Sequence, residues 1–167
     1  LAEWKQNGLP MPRMAVNLAA RHFRSPELPE KIAALLVGHG LPASILELEL
    51  TESTLLDAGE QVLENLRALK HLGVGLAIDD FGTGYSSLSY LKRLPITVLK
   101  IDQSFVRGLE RDPDDRILST SIVALGHSMG LKVVAEGIET EEQYRILLEQ
   151  GCDYGQGYFF ARPLAAQ

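Results

Sequence analysis

The sequence lacks the features of three broad classes of protein. Its single cysteine, Cys152, excludes an internal disulfide and is typical of a reducing compartment, so we predict a cytoplasmic location, or the cytoplasmic portion of a membrane-anchored parent. No apolar run approaches the roughly 20 residues that span a bilayer, so we expect no membrane contact from this segment. Lysine and arginine number 16 against 22 acidic residues, which excludes the basic surface that binding to polymeric nucleic acid requires.

The sequence does contain a repeated alternation of strand-like and helix-like segments. Six runs are β-forming, and they cover residues 14–18, 45–52, 74–80, 97–102, 132–139 and 157–163. Most of them are almost continuously apolar, as expected for strands buried on both faces of a parallel sheet. Helical patterns lie between them, over residues 25–40, 60–73, 112–130 and 140–151, with a shorter one around 86–93. Ser25, Asp112 and Thr140 are the predicted N-caps, with Thr140 in a capping box with Gln143.

Polar residues at the strand ends favour a closed barrel over an open sheet. They are Asn17, Glu49, Asp79, Asp80, Lys100, Asp102, Glu136 and Glu139. The strand carboxyl ends of a barrel meet at one mouth, whereas an open sheet concentrates its site at one switch point. We therefore predict an α/β fold, a TIM-like (β/α) barrel. Because eight βα units need about 250 residues, we expect about six of eight strands here, with the remainder before Leu1.

The acidic residues of this mouth predict a site for divalent metal ions. Two carboxylates about 4 Å apart repel by about 4 kcal/mol at an effective dielectric of about 20, so either their pKa values rise or a cation lies among them. Oxygen donors with one amide suit Mg²⁺ or Mn²⁺. A bridging carboxylate between two ions is the arrangement used for phosphoryl chemistry. The alternative for a single acid is an N-cap role, and Asp102 is a candidate for it.

Five stretches then resemble one known family. They are "LTES" at 50–53, "DDFGTGYSSLSYLKRLP" at 79–95, "LKID" at 99–102, "AEGIET" at 135–140 and "GCDYGQGYFFARPL" at 151–164. In order and spacing they resemble the EAL-domain cyclic di-GMP phosphodiesterases over essentially the whole chain. The resemblance implies a modified TIM barrel that hydrolyses cyclic di-GMP to linear pGpG with Mg²⁺ or Mn²⁺, two ions per site.

The resemblance also implies roles for individual residues. Asn17, Glu49 and Asp79 match ligands of one ion, and Asp79, Asp80 and Glu136 match those of the second, with Asp102 close to it. Lys100 matches the lysine beside the attacking water, Glu52 the glutamate that holds the "DDFGTG" loop, and Glu139 and Gln156 positions that line the site, with Gln156 on the substrate side. The matching regulatory loop comprises Phe81, Gly82, Thr83, Gly84, Tyr85 and Ser86. Expected partners are cyclic di-GMP, a second copy in a homodimer, and upstream sensor or GGDEF-type domains.

Two departures from the family pattern bear on activity. The Glu-Ala-Leu signature is absent from residues 1–167, and the family places it on a strand before Leu1, so we expect an EAL domain that lacks its N-terminal strands and has impaired activity by itself. Ala15 and Ala19 replace small hydroxyl residues beside Asn17, with little expected effect. Two alternatives stay open: a non-catalytic cyclic di-GMP receptor, and another metal-dependent barrel enzyme acting on a small acid.

Overall fold

Helices and strands alternate along the chain, as the sequence pattern predicts. The computed structural model describes residues 2–52, 54, 59–84 and 88–164. The helices among them are α1 (Ala2–Gln6), α2 (Ala20–Phe23), α3 (Leu28–Gly38), α4 (Glu60–Leu72), α5 (Leu88–Leu91), α6 (Gln103–Gly108), α7 (Pro113–Ser128) and α8 (Glu141–Glu149). The strands are β1 (Met14–Asn17), β2 (Leu46–Thr51), β3 (Gly75–Phe81), β4 (Val98–Ile101), β5 (Lys132–Ala135) and β6 (Tyr154–Gly155).

The strands form one sheet in which their order follows the chain from β1 to β6. The pairs β1 with β2, β4 with β5, and β5 with β6 are parallel. Parallel neighbours need a crossover connection, and the helices between these strands supply it. Within a parallel pair the carboxyl ends lie side by side, as those of β1 and β2 do in the first compact unit of the chain and those of β4 and β5 in the second.

The chain divides into two compact units. The described residues of Leu1–Ala77 and Ser86–Ile96 form the first unit, and those of Ile78–Tyr85 and Thr97–Gln167 form the second. Strand β3 begins in the first unit and ends in the second. Each unit has its own buried apolar residues, so each is described separately.

Helix α4 supplies the core of the first unit. Its predicted apolar repeat buries Leu63, Leu66 and Leu69, each 2% exposed or less. Gly73 ends the helix with φ 91°, a left-handed conformation that glycine adopts without steric cost. The predicted repeat also included Leu72, which is 40% exposed. The repeat is therefore confirmed at three of its four positions, and the glycine stop is confirmed.

The predicted cap of α3 is wrong. Helix α3 begins at Leu28, with Glu27 at the N-cap position, whereas Ser25 lies in the preceding turn. The Ser25 carbonyl oxygen accepts a hydrogen bond from the Asn65 side chain at 2.8 Å, and the same amide donates to the Phe23 carbonyl oxygen at 2.8 Å. This long-range contact from α4 fixes the turn, and local sequence signals do not reveal it.

The helix caps of the second unit are confirmed. Asp112 accepts a hydrogen bond from the backbone N–H of Asp114 at 2.9 Å at the start of α7. At the start of α8, Thr140 and Gln143 form the predicted capping box. These caps satisfy backbone donors that have no partner inside a helix.

The predicted sixth strand is misplaced. Strand β6 is Tyr154–Gly155, and residues 158–160 of the predicted run 157–163 form an exposed turn. A Cβ atom on Gly157 would lie 2.1 Å from the Ile138 carbonyl oxygen, and Ile138 itself donates from its N–H to the Gln156 carbonyl at 3.0 Å. The chain therefore turns over Ile138 instead of extending, and the aromatic residues after Gly157 lie at the surface.

The helices show no membrane-spanning segment within the part of the chain that the structure describes. None of them is both long enough and apolar enough to cross a bilayer.

Candidate functional site

Two adjacent aspartates end strand β3 in an unusual backbone conformation. Asp80 has φ 54°, a value that non-glycine residues seldom adopt. Its N–H donates to Asp79 Oδ1 at 3.0 Å, and its carbonyl accepts from Thr83 Oγ1 at 2.8 Å. Neighbouring side chains on a regular strand point to opposite faces. The turn at Asp80 breaks that alternation, so both carboxylates reach one cluster.

Three carboxylates meet in this cluster. Ligand oxygens of Asp79, Asp80 and Glu136 all lie within 4.8 Å of one another. Asp79 is only 8% exposed, and Glu136 directly follows β5. Burial, together with the charges of Asp79 and Asp102, raises the pKa of Asp80 above its ordinary value. The structure thus unites three of the predicted second-ion ligands, and their oxygen donors fit a hard divalent cation.

Lys100 places a positive charge in the same cluster. It lies on β4, and its Nζ atom is 3.2 Å from Asp79 Oδ1 and 2.5 Å from Glu136 Oε1. The Lys100 side chain is 6% exposed. Because a buried ammonium ion needs acceptors to replace water, the two carboxylates hold it in this position.

Asp102 is the N-cap of α6, as the alternative interpretation of its sequence position predicts. Its Oδ1 accepts hydrogen bonds from the Ser104 N–H at 2.9 Å and from Ser104 Oγ at 2.5 Å. Burial alone would raise the pKa of Asp102, but these bonds and one from Asp80 lower it below its ordinary value. Asp102 therefore lies beside the acidic cluster, and its predicted proximity to an ion stays a prediction.

A cavity of about 270 Å³ adjoins the cluster. Glu136 belongs both to the acidic cluster and to the cavity wall. The other polar side chains of the wall are Gln103, Arg107, Glu139, Gln156 and Tyr158. The predicted site residues Glu139 and Gln156 thus share one cavity with a metal-ligand candidate.

Sequence reasoning missed three wall residues: Gln103, Arg107 and Tyr158. Arg107 and Gln103 are four residues apart on α6, and the Arg107 guanidinium donates to Gln103 Oε1 at 2.8 Å. The i, i+4 spacing after "LKID" is the signal that could have found this pair, since such residues share a helix face. Tyr158 lies in the turn that was predicted as a strand. The Cζ atom of Arg162 lies over the Tyr158 ring, 5.2 Å from the ring centroid.

Gly137 lets α6 approach the loop after β5. It has φ 71°, and a Cβ atom at this position would lie 2.7 Å from Gln103 Cβ. Any side chain there would push α6 away from Glu136. The glycine of "AEG" is thus required by the close approach that forms the cavity wall.

Three predicted site residues lie in the first unit. Asn17 ends β1 and is paired in register with Glu49 of β2, and the Leu18 N–H donates to the Glu49 carbonyl at 3.1 Å. Glu49 is 5% exposed and Glu52, just after β2, is 2% exposed. The structure brings Asn17 and Glu49 together on two paired strands. Their role as ligands and that of Glu52 in holding the loop stay predictions.

The predicted regulatory loop is described from Phe81 to Gly84, whereas Tyr85 and Ser86 lie outside the described residues. Gly82 has φ 99°, and a Cβ atom on it would lie 2.8 Å from a ring carbon of Phe105. The loop therefore packs directly on the residues that follow β4. Its regulatory role stays a prediction.

Comparison with known proteins gives the family. The model of the EAL domain family matches residues 1–163. The chain belongs to the EAL-domain family. The bifunctional diguanylate cyclase/cyclic di-GMP phosphodiesterase MucR of Pseudomonas aeruginosa is 46% identical over 164 residues, which are 98% of this EAL chain and 24% of that protein. The chain thus spans about a quarter of the length of this relative.

Solved EAL structures confirm the fold class. The PaMucR phosphodiesterase in complex with c-di-GMP matches with a TM-score of 0.92 at 45% identity, covering 99% of this chain and 67% of that one. BlrP1 of Klebsiella pneumoniae, with manganese and cyclic di-GMP, matches with a TM-score of 0.87 at 33% identity, covering 97% of this chain and 42% of that one. The EAL chain is therefore the predicted α/β, TIM-like barrel, incomplete here with six strands.

Proposed function

We propose that this EAL chain is part of a metal-dependent phosphodiesterase that hydrolyses cyclic di-GMP to linear pGpG. One observation carries the proposal: Glu136 joins a cluster of three carboxylates to a cavity with polar walls. A phosphodiester held in that cavity would have its phosphate beside the cluster. The similarity to MucR, named as a cyclic di-GMP phosphodiesterase, supports the same activity.

Divalent ions are the cofactors that this donor set fits. Asp79, Asp80 and Glu136 would hold one ion, and Asn17 and Glu49 are proposed, with Asp79, for the other. The BlrP1 complexes contain manganese or calcium, and oxygen ligands suit such ions and Mg²⁺. When bound, such ions polarise a phosphate and lower the pKa of a coordinated water, which generates the nucleophile.

Residues of this chain would position the reacting groups. The Lys100 ammonium is the only cation with a described ion pair to the cluster carboxylates among residues 2–52, 54, 59–84 and 88–164, so it is suited to contact a phosphate oxygen or the attacking water. Glu139 and Gln156 offer an acceptor and a donor–acceptor group to a guanine edge. Arg107 adds a guanidinium, which forms paired hydrogen bonds with phosphate or guanine acceptors.

The proposal also concerns the other domains of the parent protein and the assembly of this domain. MucR combines a diguanylate cyclase with a phosphodiesterase, which supports upstream GGDEF-type or sensor domains in the parent protein. We propose residues 1–167 as one EAL domain without its Glu-Ala-Leu strand. The homodimer stays a prediction that rests on the family resemblance.

Product analysis tests the proposed function. The protein is incubated with cyclic di-GMP and Mg²⁺ or Mn²⁺, and pGpG is measured by chromatography for the wild type, Asp79→Asn and the control Asp114→Asn. We expect metal-dependent pGpG release that Asp79→Asn abolishes and that Asp114→Asn, an exposed change on α7, leaves intact. Tight binding of cyclic di-GMP without turnover would contradict the proposed enzyme and would favour the alternative, a non-catalytic cyclic di-GMP receptor.

A further inference from the structure

Lys100 places its ammonium group against two of the three acids of the cluster. Its Nζ atom contacts one oxygen of Asp79 at 3.2 Å and one of Glu136 at 2.5 Å. Both acids belong to the cluster whose oxygens lie within 4.8 Å of one another. The charge of Lys100 also acts on the third acid, Asp80. The ammonium group therefore contacts two of the three carboxylates, and its charge opposes the rise in the pKa of the third.

Burial strengthens the interaction between Lys100 and these carboxylates. The Lys100 side chain is 6% exposed, and those of Asp79 and Glu136 are 12% and 19% exposed. Charges in such surroundings are weakly screened by water and salt, so the ammonium ion and the carboxylates depend on one another. By contrast, the Lys132 side chain, which pairs with Asp153 in the same unit, is 61% exposed.

We propose that Lys100 is a built-in counter-ion with which divalent metal competes for Asp79 and Glu136. An ion held by Asp79 and Glu136 would compete with the ammonium group for their oxygens and would repel it. Metal binding would therefore displace Lys100 from the oxygens that it contacts. The lysine would thus balance charge in the metal-free cluster and weaken its metal affinity, and metal binding would free the ammonium group to contact a phosphate.

This inference rests on the proposed function, because it takes the acidic cluster as a metal site. It differs from a purely catalytic role for Lys100. A lysine that acts only on the phosphate or the attacking water would leave metal affinity unchanged when it is replaced. A competing lysine would make metal binding tighter when it is replaced, because its charge would no longer repel the ion and its ammonium group would no longer contact the carboxylate oxygens.

The test measures Mn²⁺ binding directly, by titration calorimetry on chelator-treated protein without nucleotide. The variants are Lys100→Met, which removes the charge, and Lys100→Arg, which keeps it, with Lys132→Met as a control that removes a Lys–Asp pair of the same unit away from the cluster. We expect Lys100→Met to bind Mn²⁺ about tenfold tighter or more, which corresponds to about 1.4 kcal/mol. Lys100→Arg and Lys132→Met should stay within about twofold of wild type.

Thermal melting gives a second readout that activity does not influence. In the presence of chelator, Lys100→Met should have a lower melting temperature than wild type. Added Mn²⁺ should raise the melting temperature of Lys100→Met by more than that of wild type, whereas it should raise that of Lys132→Met by as much as that of wild type. Should Lys100→Met fail to fold without metal, chelator competition on protein purified in Mn²⁺ gives its affinity instead.

The outcomes separate this inference from the proposed function. Equal or weaker Mn²⁺ affinity in Lys100→Met overturns the inference even when the wild type hydrolyses cyclic di-GMP. Tighter affinity supports it even when no pGpG is released, in which case only the proposed function fails. Absence of Mn²⁺ binding to both wild type and Lys100→Met overturns the inference and removes the metal site from the proposed function.

Discussion

Asp153, in the segment after α8, is hydrogen-bonded to Val133 near the amino end of β5. Its Oδ2 accepts a hydrogen bond from the Val133 N–H at 2.9 Å, and His127 Nε2 and Lys132 Nζ lie 2.9 Å and 2.6 Å from its two oxygens. Burial would raise the pKa of Asp153, but hydrogen bonds from Lys132, Val133 and His127 lower it to about 2. This carboxylate fixes the amino end of β5, and β5 leads to Glu136 at its other end.

Replacing Asp153 should lower the free energy of unfolding of the protein and reduce the dependence of that free energy on pH in acid. We expect Asp153→Asn to reduce the free energy of unfolding by about 1–2 kcal/mol at neutral pH. The folded-state pKa of Asp153, about 2, lies below its ordinary value of 3.8, so its contribution is complete above about pH 4 and is lost as the pH falls towards 2.

Urea unfolding at several pH values between 2 and 7 tests this expectation. The wild type should lose part of its stability between about pH 4 and 2, and Asp153→Asn should lose less over that interval. Glu142→Gln is the control, because it removes a solvent-exposed pair with Arg145 that should matter little. A steeper acid loss in Asp153→Asn than in wild type would contradict the assignment.

Gly82 should not tolerate a side chain. Its φ of 99° disfavours any other residue, and an added Cβ atom would lie 2.8 Å from Phe105. We expect Gly82→Ala to destabilise the protein by about 1–3 kcal/mol and to weaken Mn²⁺ binding, because the turn that orients Asp80 must shift.

The matched control for Gly82 is Gly38→Ala, since a Cβ atom at Gly38 meets nothing within 4 Å. It should be neutral or slightly stabilising, as alanine favours the helix end of α3. Urea unfolding and Mn²⁺ titration are measured on both variants. Equal stability of the two alanine variants would show that the loop can rearrange.

Replacing Arg107 should weaken the binding of cyclic di-GMP and leave the affinity for Mn²⁺ unchanged. It lines the cavity with Gln103 and Glu139, whereas the acidic cluster does not contain it. We expect Arg107→Ala to raise the Kd for cyclic di-GMP about tenfold or more with unchanged Mn²⁺ affinity. Arg145→Ala, an exposed change on α8, serves as the control. Loss of Mn²⁺ binding in Arg107→Ala would place the residue with the metal instead.

Cys152 should react slowly with alkylating reagents. Burial raises the pKa of its thiol to about 11, and the thiol donates to the Tyr154 carbonyl at 3.3 Å. The thiolate fraction at pH 8 is then about 100-fold below that of an ordinary cysteine. Iodoacetamide labelling followed by mass spectrometry should be slow in native protein and fast in urea. Equal rates in both conditions would contradict a buried, inert thiol.

Features with local causes were predictable from the sequence. The capping box of Thr140 with Gln143 and the stop at Gly73 depend on residues within one helical turn. The acidic cluster was predictable for another reason: parallel strands bring their carboxyl ends to one edge, so strand order alone unites Asp79 with Glu136.

Features with distant causes were not predictable. Ser25 is not the cap because α3 begins only at Leu28, whose N–H donates to the Ser25 carbonyl in a turn that Asn65 of α4 also contacts. The strand expected at 157–163 fails because the backbone at Gly157 packs on Ile138. The pairing of Lys100 with two particular carboxylates depends on side-chain positions that no spacing in the sequence determines. Local propensity carries little information where the tertiary contact decides.

The double position of Glu136 has a thermodynamic consequence. Glu136 belongs both to the cation site and to the wall of the cavity. A ligand that binds in the cavity and contacts Glu136 should therefore change the affinity of the cluster for a cation, and a bound cation should change the affinity of the cavity for that ligand. By linkage, if the ion changes nucleotide affinity by some factor, the nucleotide changes ion affinity by that same factor. Cation and nucleotide titrations of this chain should therefore each depend on the concentration of the other ligand, so that a half-saturation value for one has meaning only at a stated level of the other.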